Sequence, residues 1–433
     1  MILSSYKARA AGIAGVIVVA IGIAGCGSSS SSSAPGVSAT SITFGSHQPL
    51  TGPAAPGYSE IAPASQAFFD YLNAKGGIYG RKIHLTYKDD AYNPAQTVNV
   101  VHELVLQDKV FGIFEGLGTP THTKVVGFLN SSKVPDMSVA SGCPCWDNGT
   151  SQPYTYGWQP NYTIEGKILG QYIKQHFAGK KIGVFYQDDD FGNGGLTGIK
   201  DEVPASQIVS AQAYQPGGTN VAPQISAIKA AGAQVLVDFT VPIYTALGQL
   251  TSFTLGYTPQ LVVSNVGIDP TTVGGLLKTF SKGKAGTALI EGAITDGYLP
   301  STADLSNPWV ALFKKIHDRY DASAPFDGNV EYGMANAYTL AQALQVAGKN
   351  LTRQGLINAV NTTGSKLLGP GLVPFRYSKS NHGGYGGTEI GQVRNGQIVL
   401  FGGPLVTDPT SSGPITPYTT AQPAPPASGV SLP

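Results

Sequence analysis

The sequence predicts an α/β protein made of two doubly wound, Rossmann-like lobes. Three observations carry this. Apolar, β-branched runs alternate with stretches of helical periodicity along most of the chain. That alternation belongs to parallel strands covered by helices on both faces. Residues 39–406 are also too many for one such sheet, so two are expected. The 433 residues are 42% hydrophobic, enough for a sizeable core. Only 12% are charged, with 27 Lys+Arg against 26 Asp+Glu. That is about half the usual fraction of ~25%. So even a balance leaves no electrostatic footprint for a nucleic acid partner.

The N-terminus reads as an address. Lys7 and Arg9 precede an uncharged apolar stretch, residues 10–25, which is shorter than the ~20 residues of a spanning helix. Ile23-Ala24-Gly25-Cys26 follows, then Gly27 and the run Ser28 to Ser33. This segment resembles the lipobox of bacterial lipoproteins. The resemblance implies that residues 1–25 are a signal peptide and that Cys26 is diacylated. Residues 26–40 then form a Ser-rich tether to the outer face of the cytoplasmic membrane, because two acyl chains anchor stably where one does not.

Beyond the tether, Ser41 to Phe44 reads as a strand and Leu50-Thr51-Gly52-Pro53 as a loop. Ile61, Ala64, Phe68, Tyr71 and Leu72 share one helical face, stopped by Gly76-Gly77. Lys82 to Tyr87 alternates like a strand. Asn93-Pro94 supplies an N-cap and a first-turn proline for the next helix. Strands are expected at Val110 to Phe114 and Lys133 to Val139, then a helix through Ile164 to Ile173. Strands Lys181 to Tyr186, Val235 to Phe239 and Gln260 to Ser264 follow, interleaved with helices. Two more helices run near Trp309 to Tyr320 and Glu331 to Ala347. Short strands at Val373–Phe375, Gly391–Arg394 and Ile398–Phe401 close the set. Residues 407–433, rich in Pro, Thr and Ser without periodicity, read as a disordered tail.

Catalytic patterns fail one by one. No phosphate loop is present. Thr197 stands where a dinucleotide fingerprint begun by Gly192 and Gly194 needs its third Gly. Leu106 stands where a zinc-protease pattern begun by His102-Glu103 needs its second His. No serine-hydrolase elbow exists, and no His pair has helical ligand spacing. The sequence predicts no enzyme, cofactor or metal. Cys143-Pro144-Cys145 reads as a disulfide closing a very small ring, with a redox pair or half a metal site as the alternatives.

Several landmarks resemble the periplasmic binding proteins of the branched-chain amino acid type. Pro49 to Pro53, Asn73-Ala74-Lys75-Gly76-Gly77-Ile78-Tyr79-Gly80, Asp89-Asp90 with Asn93-Pro94, Gly118-Thr119-Pro120-Thr121 and Tyr186 to Gly192 carry the likeness. It implies a monomeric receptor of an ABC importer, with lobes of residues 41–158 plus 296–371 and 159–295 plus 372–406. Three hinge segments join them, near residues 157–162, 291–297 and 369–374. Ligand would lie between the lobes, at the carboxyl ends of strands. By position, Gly118, Thr119, Thr121, Ser141, Gly142 and Tyr58 would meet it from the first lobe. Phe191, Tyr244 and Asn265 would meet it from the second, and Tyr298 and Tyr332 from the returning chain. Asn265 stands where amino-acid-binding members carry a carboxylate for the ligand's ammonium. The implied ligand is therefore one without an ammonium group, such as an amide, a urea-like molecule or a small organic acid. A ligand sensor that signals to a membrane partner is the rival reading, and an extracellular hydrolase a weaker one.

Overall fold

A computed structural model describes residues 34–427. The expected signal peptide, Cys26 and the serine run lie outside the described residues. The first sheet holds β1 (Ser41–Gln48), β2 (Lys82–Asp89), β3 (Ile113–Phe114), β4 (Asp136–Val139) and β5 (Thr155–Gly157). They run in the order β2-β1-β3-β4-β5 and are all parallel. The second is built from β6 (Ile182–Gln187), β7 (Ile208–Tyr214), β8 (Val235–Phe239), β9 (Gln260–Val263) and β10 (Ile294–Gly297). β11 (Gly387–Arg394), β12 (Gln397–Leu400), β13 (Leu405–Val406) and β14 (Thr416–Pro417) complete it. Its order is β14-β13-β11-β10-β9-β8-β6-β7, with β12 on β11. β6 to β10 are parallel, and everything from β11 onward is antiparallel.

The helix starts follow from single side chains. Asn93, Asn161, Asp189, Asp269, Asn307 and Asp327 each accept a backbone N–H from the first turn of the helix that follows. Several of these caps sit at strand-to-helix turns, which places polar side chains and helix starts along the facing edges of the two sheets.

Three expectations need correction. Val373–Phe375 is not a strand; only a single bridge joins Phe375 to Tyr385. The third crossing is not at residues 369–374. Val373, Phe375, Tyr377 and Tyr385 belong to the core of the first lobe, and the chain enters the second sheet only at Gly387. The cause is aromatic packing: the Phe375 ring stacks on Tyr377 and Tyr385, and Trp158 packs edge-on against Tyr385. The first lobe therefore extends past 371, and the second resumes well after 372. Nor are residues 407–427 a structureless tail. Lys167 is fully buried, and its Nζ donates to Thr407 Oγ1, Asp408 O, Thr410 O and Gly413 O at 2.6 to 3.1 Å. Farther on, Asn307 Nδ2 donates to Gln422 Oε1 at 2.9 Å. Among the described residues, no helix is long and apolar enough to cross a membrane.

Candidate ligand-binding site

A cavity of about 350 Å³ lies between the lobes, at the low end of the range of ~300–1,000 Å³ usual for small-molecule sites. Hydrogen bonds clasp the lobes around it. Tyr58 Oη donates to Val266 O at 2.6 Å, and Gln187 Nε2 donates to Tyr92 Oη at 3.2 Å. Asp269 Oδ2 accepts from Gly328 N at 3.1 Å, and Asn329 Nδ2 donates to Thr272 Oγ1 at 3.2 Å. Gly57, at φ +79°, makes this approach possible: a Cβ there would stand 2.7 Å from both Asn329 Nδ2 and Thr272 Oγ1. The structure is the closed form.

Seven of the expected site residues line the cavity: Tyr58, Gly118, Thr119, Phe191, Asn265, Tyr298 and Tyr332. Four do not reach its wall. Ser141 stands behind Thr119, with their hydroxyls 2.6 Å apart. Thr121 turns its hydroxyl back onto its own chain, donating to Leu117 O at 2.5 Å and Gly118 O at 3.0 Å, so it serves the turn. Gly142 is a packing glycine, since a Cβ there would come within 2.3 Å of Pro160 O. Tyr244 stacks on Tyr214 with ring centroids 3.9 Å apart and accepts from Gly217 N at 2.6 Å. Cys143 and Cys145 are joined as a disulfide, with Cα atoms 5.1 Å apart.

Among the wall residues that escaped the sequence reading are Tyr92, Tyr162, Asp296 and Glu331. Tyr162 directly follows the N-cap Asn161, a signal that could have marked it. Asp296 and Glu331 lie inside a strand and a helix and carry no local signal of a site. With Tyr58, Tyr298 and Tyr332, they give a wall of five tyrosines and several carboxylates. No Lys, Arg or His lines the cavity among the described residues.

The carboxylates overturn the argument built on Asn265. Its side chain bridges two buried acids: Nδ2 donates to Glu165 Oε1 at 3.0 Å and to Asp296 Oδ2 at 3.1 Å. Its backbone N donates to the same pair, at 2.9 and 3.1 Å. Burial, followed by the charge of Asp296, pushes Glu165 well above the usual carboxylate range, and burial pushes Asp296 up to about 6. Burial thus holds both acids toward their protonated forms. Glu331 is 3% exposed, burial alone raises it well above the carboxylate range, and its Oε1 has no hydrogen-bond partner. An amide at 265 thus does not leave the cavity without acidic groups.

The turn that presents Thr119 is braced from behind. Asp90 Oδ2 meets His47 Nδ1 at 2.8 Å, His47 Nε2 meets His122 Nδ1 at 2.9 Å, and His122 Nε2 meets Asp136 Oδ2 at 2.7 Å. All four side chains are fully buried. This row of side chains ties β1, the turn after β2, the turn at Thr119 and β4 together.

The sequence profile of a family described as periplasmic binding protein matches residues 41–397. Among curated relatives, the Leu/Ile/Val-binding protein homolog 3 of Brucella melitensis is 24% identical over 213 residues. The match covers 45% of this chain and 53% of that one, so the chain spans about half the length of that relative. A substrate-binding periplasmic protein from Ralstonia solanacearum superposes with a TM-score of 0.73 at 24% identity, covering 83% of this chain and all of that one. A branched chain amino acid ABC transporter protein from Thermus thermophilus, solved with bound valine, gives 0.74 at 18% identity, covering 86% and 98%. At these identities the superpositions speak for the fold.

Proposed function

The chain belongs to the periplasmic binding protein family, a family of extracytoplasmic solute-binding proteins rather than enzymes, and we propose that it is the solute receptor of an ABC importer. In this reading it closes its lobes on one small polar solute and presents the closed form to a membrane permease. The observation that carries the reading is the enclosed cavity between the lobes, whose rim hydrogen bonds exist only when the lobes meet. Ligand drives closure by binding the closed state better than the open one. The relatives named for Leu/Ile/Val binding and the homologue holding valine support a solute of amino-acid size. The lipobox-like Ile23 to Cys26 supports a diacyl anchor on the outer membrane face.

A thermal-shift screen of the lipid-free chain tests the receptor. The panel holds branched-chain amino acids, short amides, urea, aliphatic and aromatic acids, and the matching amines. A solute at about 100 times its Kd adds roughly 2.7 kcal/mol, so one member is expected to raise Tm clearly. A flat response across the panel overturns the receptor reading. Palmitate labelling that is unchanged in Cys26→Ser overturns the anchor.

A further inference from the structure

Glu331 sits in the first turn of the helix Gly328–Ala347, on the cavity wall. Its side chain is almost fully buried, yet it takes part in no ion pair or hydrogen bond among the described residues, and Oε1 has no partner. A buried carboxyl group of this kind costs free energy unless something arrives to pair with it. The groups that would neutralise a ligand anion are missing, since no Lys, Arg or His lines the cavity among the described residues. Tyrosine faces line it instead, from Tyr58, Tyr92, Tyr162, Tyr298 and Tyr332, and aromatic faces attract cations. Asp269, Asp296 and Asp327 add further acids to the wall.

We propose that Glu331 is the binding residue for a protonated amino group on the solute, so that the solute is an amine with an aliphatic or aromatic body. The inference rests on the receptor reading and deepens it. The proton balance is explicit. Burial raises the Glu331 carboxyl well above the usual carboxylate range, which favours its protonated form in the closed cavity. When the ammonium arrives, the carboxyl O–H bond breaks, the proton leaves to solvent, and the carboxylate pairs with R–NH3+, which keeps its own protons. Binding therefore releases protons, and affinity rises with pH until the free carboxyl group would itself ionise.

The test uses the whole lipid-free chain and two matched series, measured by calorimetry at pH 7 in buffers of different ionisation enthalpy. One series is isopentylamine, leucine, 4-methylpentanamide and 4-methylpentanoate. The other is phenethylamine, phenylalanine, 3-phenylpropanamide and 3-phenylpropanoate. The amine of a series is expected to bind at least tenfold more tightly than its amide, its acid and its amino acid, with net proton release, because nothing in the cavity lining neutralises a carboxylate. Glu331→Gln keeps the shape of the site and is expected to lose roughly 10- to 100-fold in affinity for the ammonium ligand, together with the proton release. Glu331→Asp is expected to recover part of both. Tightest binding by an amide, an acid or an amino acid, or amine binding that Glu331→Gln leaves unchanged, overturns the inference while the receptor reading stands. Binding by no member overturns both.

Discussion

Asn265 shows how a single side chain is misread without its neighbours. By the family resemblance a carboxylate is expected at its position, yet its amide is the donor that lets Glu165 and Asp296 share a small space. Asn265→Asp would replace that donor with a third acid. The substitution is expected to destabilise the protein by about 1–3 kcal/mol in urea unfolding, and to bring no gain in amino-acid affinity. A variant as stable as the parent would show that the bridge contributes nothing. Asp296 and Glu331, which the sequence missed, share one reason. A cavity is defined by what faces it, and an Asp within a strand or a Glu within a helix reads as ordinary surface until the opposite lobe is in place.

At the scale of elements, helices were the more legible. Their N-caps are local, so Asn93-Pro94 announces its own helix. The strands β7 and β10 were not, because short strands in a covered sheet are recognised by their partners and not by their own pattern. The C-terminal strap is the sharpest case. Residues 407–427 have no periodicity, but four of their oxygens complete the shell of Lys167. Ending the chain at residue 406 strands a buried ammonium, which typically costs about 3–5 kcal/mol. The truncated protein is therefore expected to melt well below the full chain. Lys167→Met, which removes the charge itself, should cost less but expose the segment after Val406 to limited proteolysis. Equal Tm for the full and truncated chains would refute the strap.

At the scale of the whole molecule, closure concentrates acids where water is excluded. Burial raises Asp327 to about 8, with Asp269 and Glu60 adding to it, and raises Glu165, Glu331 and Asp296 as well. A carboxyl group whose folded pKa lies above its unfolded value binds more protons when folded. Its stabilisation is complete below the unfolded pKa and is lost as pH rises through the folded one. The His47 pKa is lowered by burial, so it contributes in the opposite direction, but only below about pH 7. Between pH 7 and pH 9 the ligand-free protein is therefore expected to lose stability by about 1.4 kcal/mol in urea titrations as Asp327 ionises. A flat profile would mean that the lobes open and hydrate these acids first.

What the sequence determined by itself was whatever is written locally. The alternation of strands and helices, the caps, the loop Gly118 to Thr121 and the Cys143–Cys145 pair are each set by neighbours a few residues apart. The same holds for the landmarks that mark the family. Tertiary structure alone decided the third crossing at Gly387, the strap over Lys167, the Asp90–His47–His122–Asp136 chain and the acidic, tyrosine-lined cavity. These features depend on contacts between residues tens to hundreds of positions apart. Such contacts exist only after two sheets have folded and met, and no short window of sequence carries them.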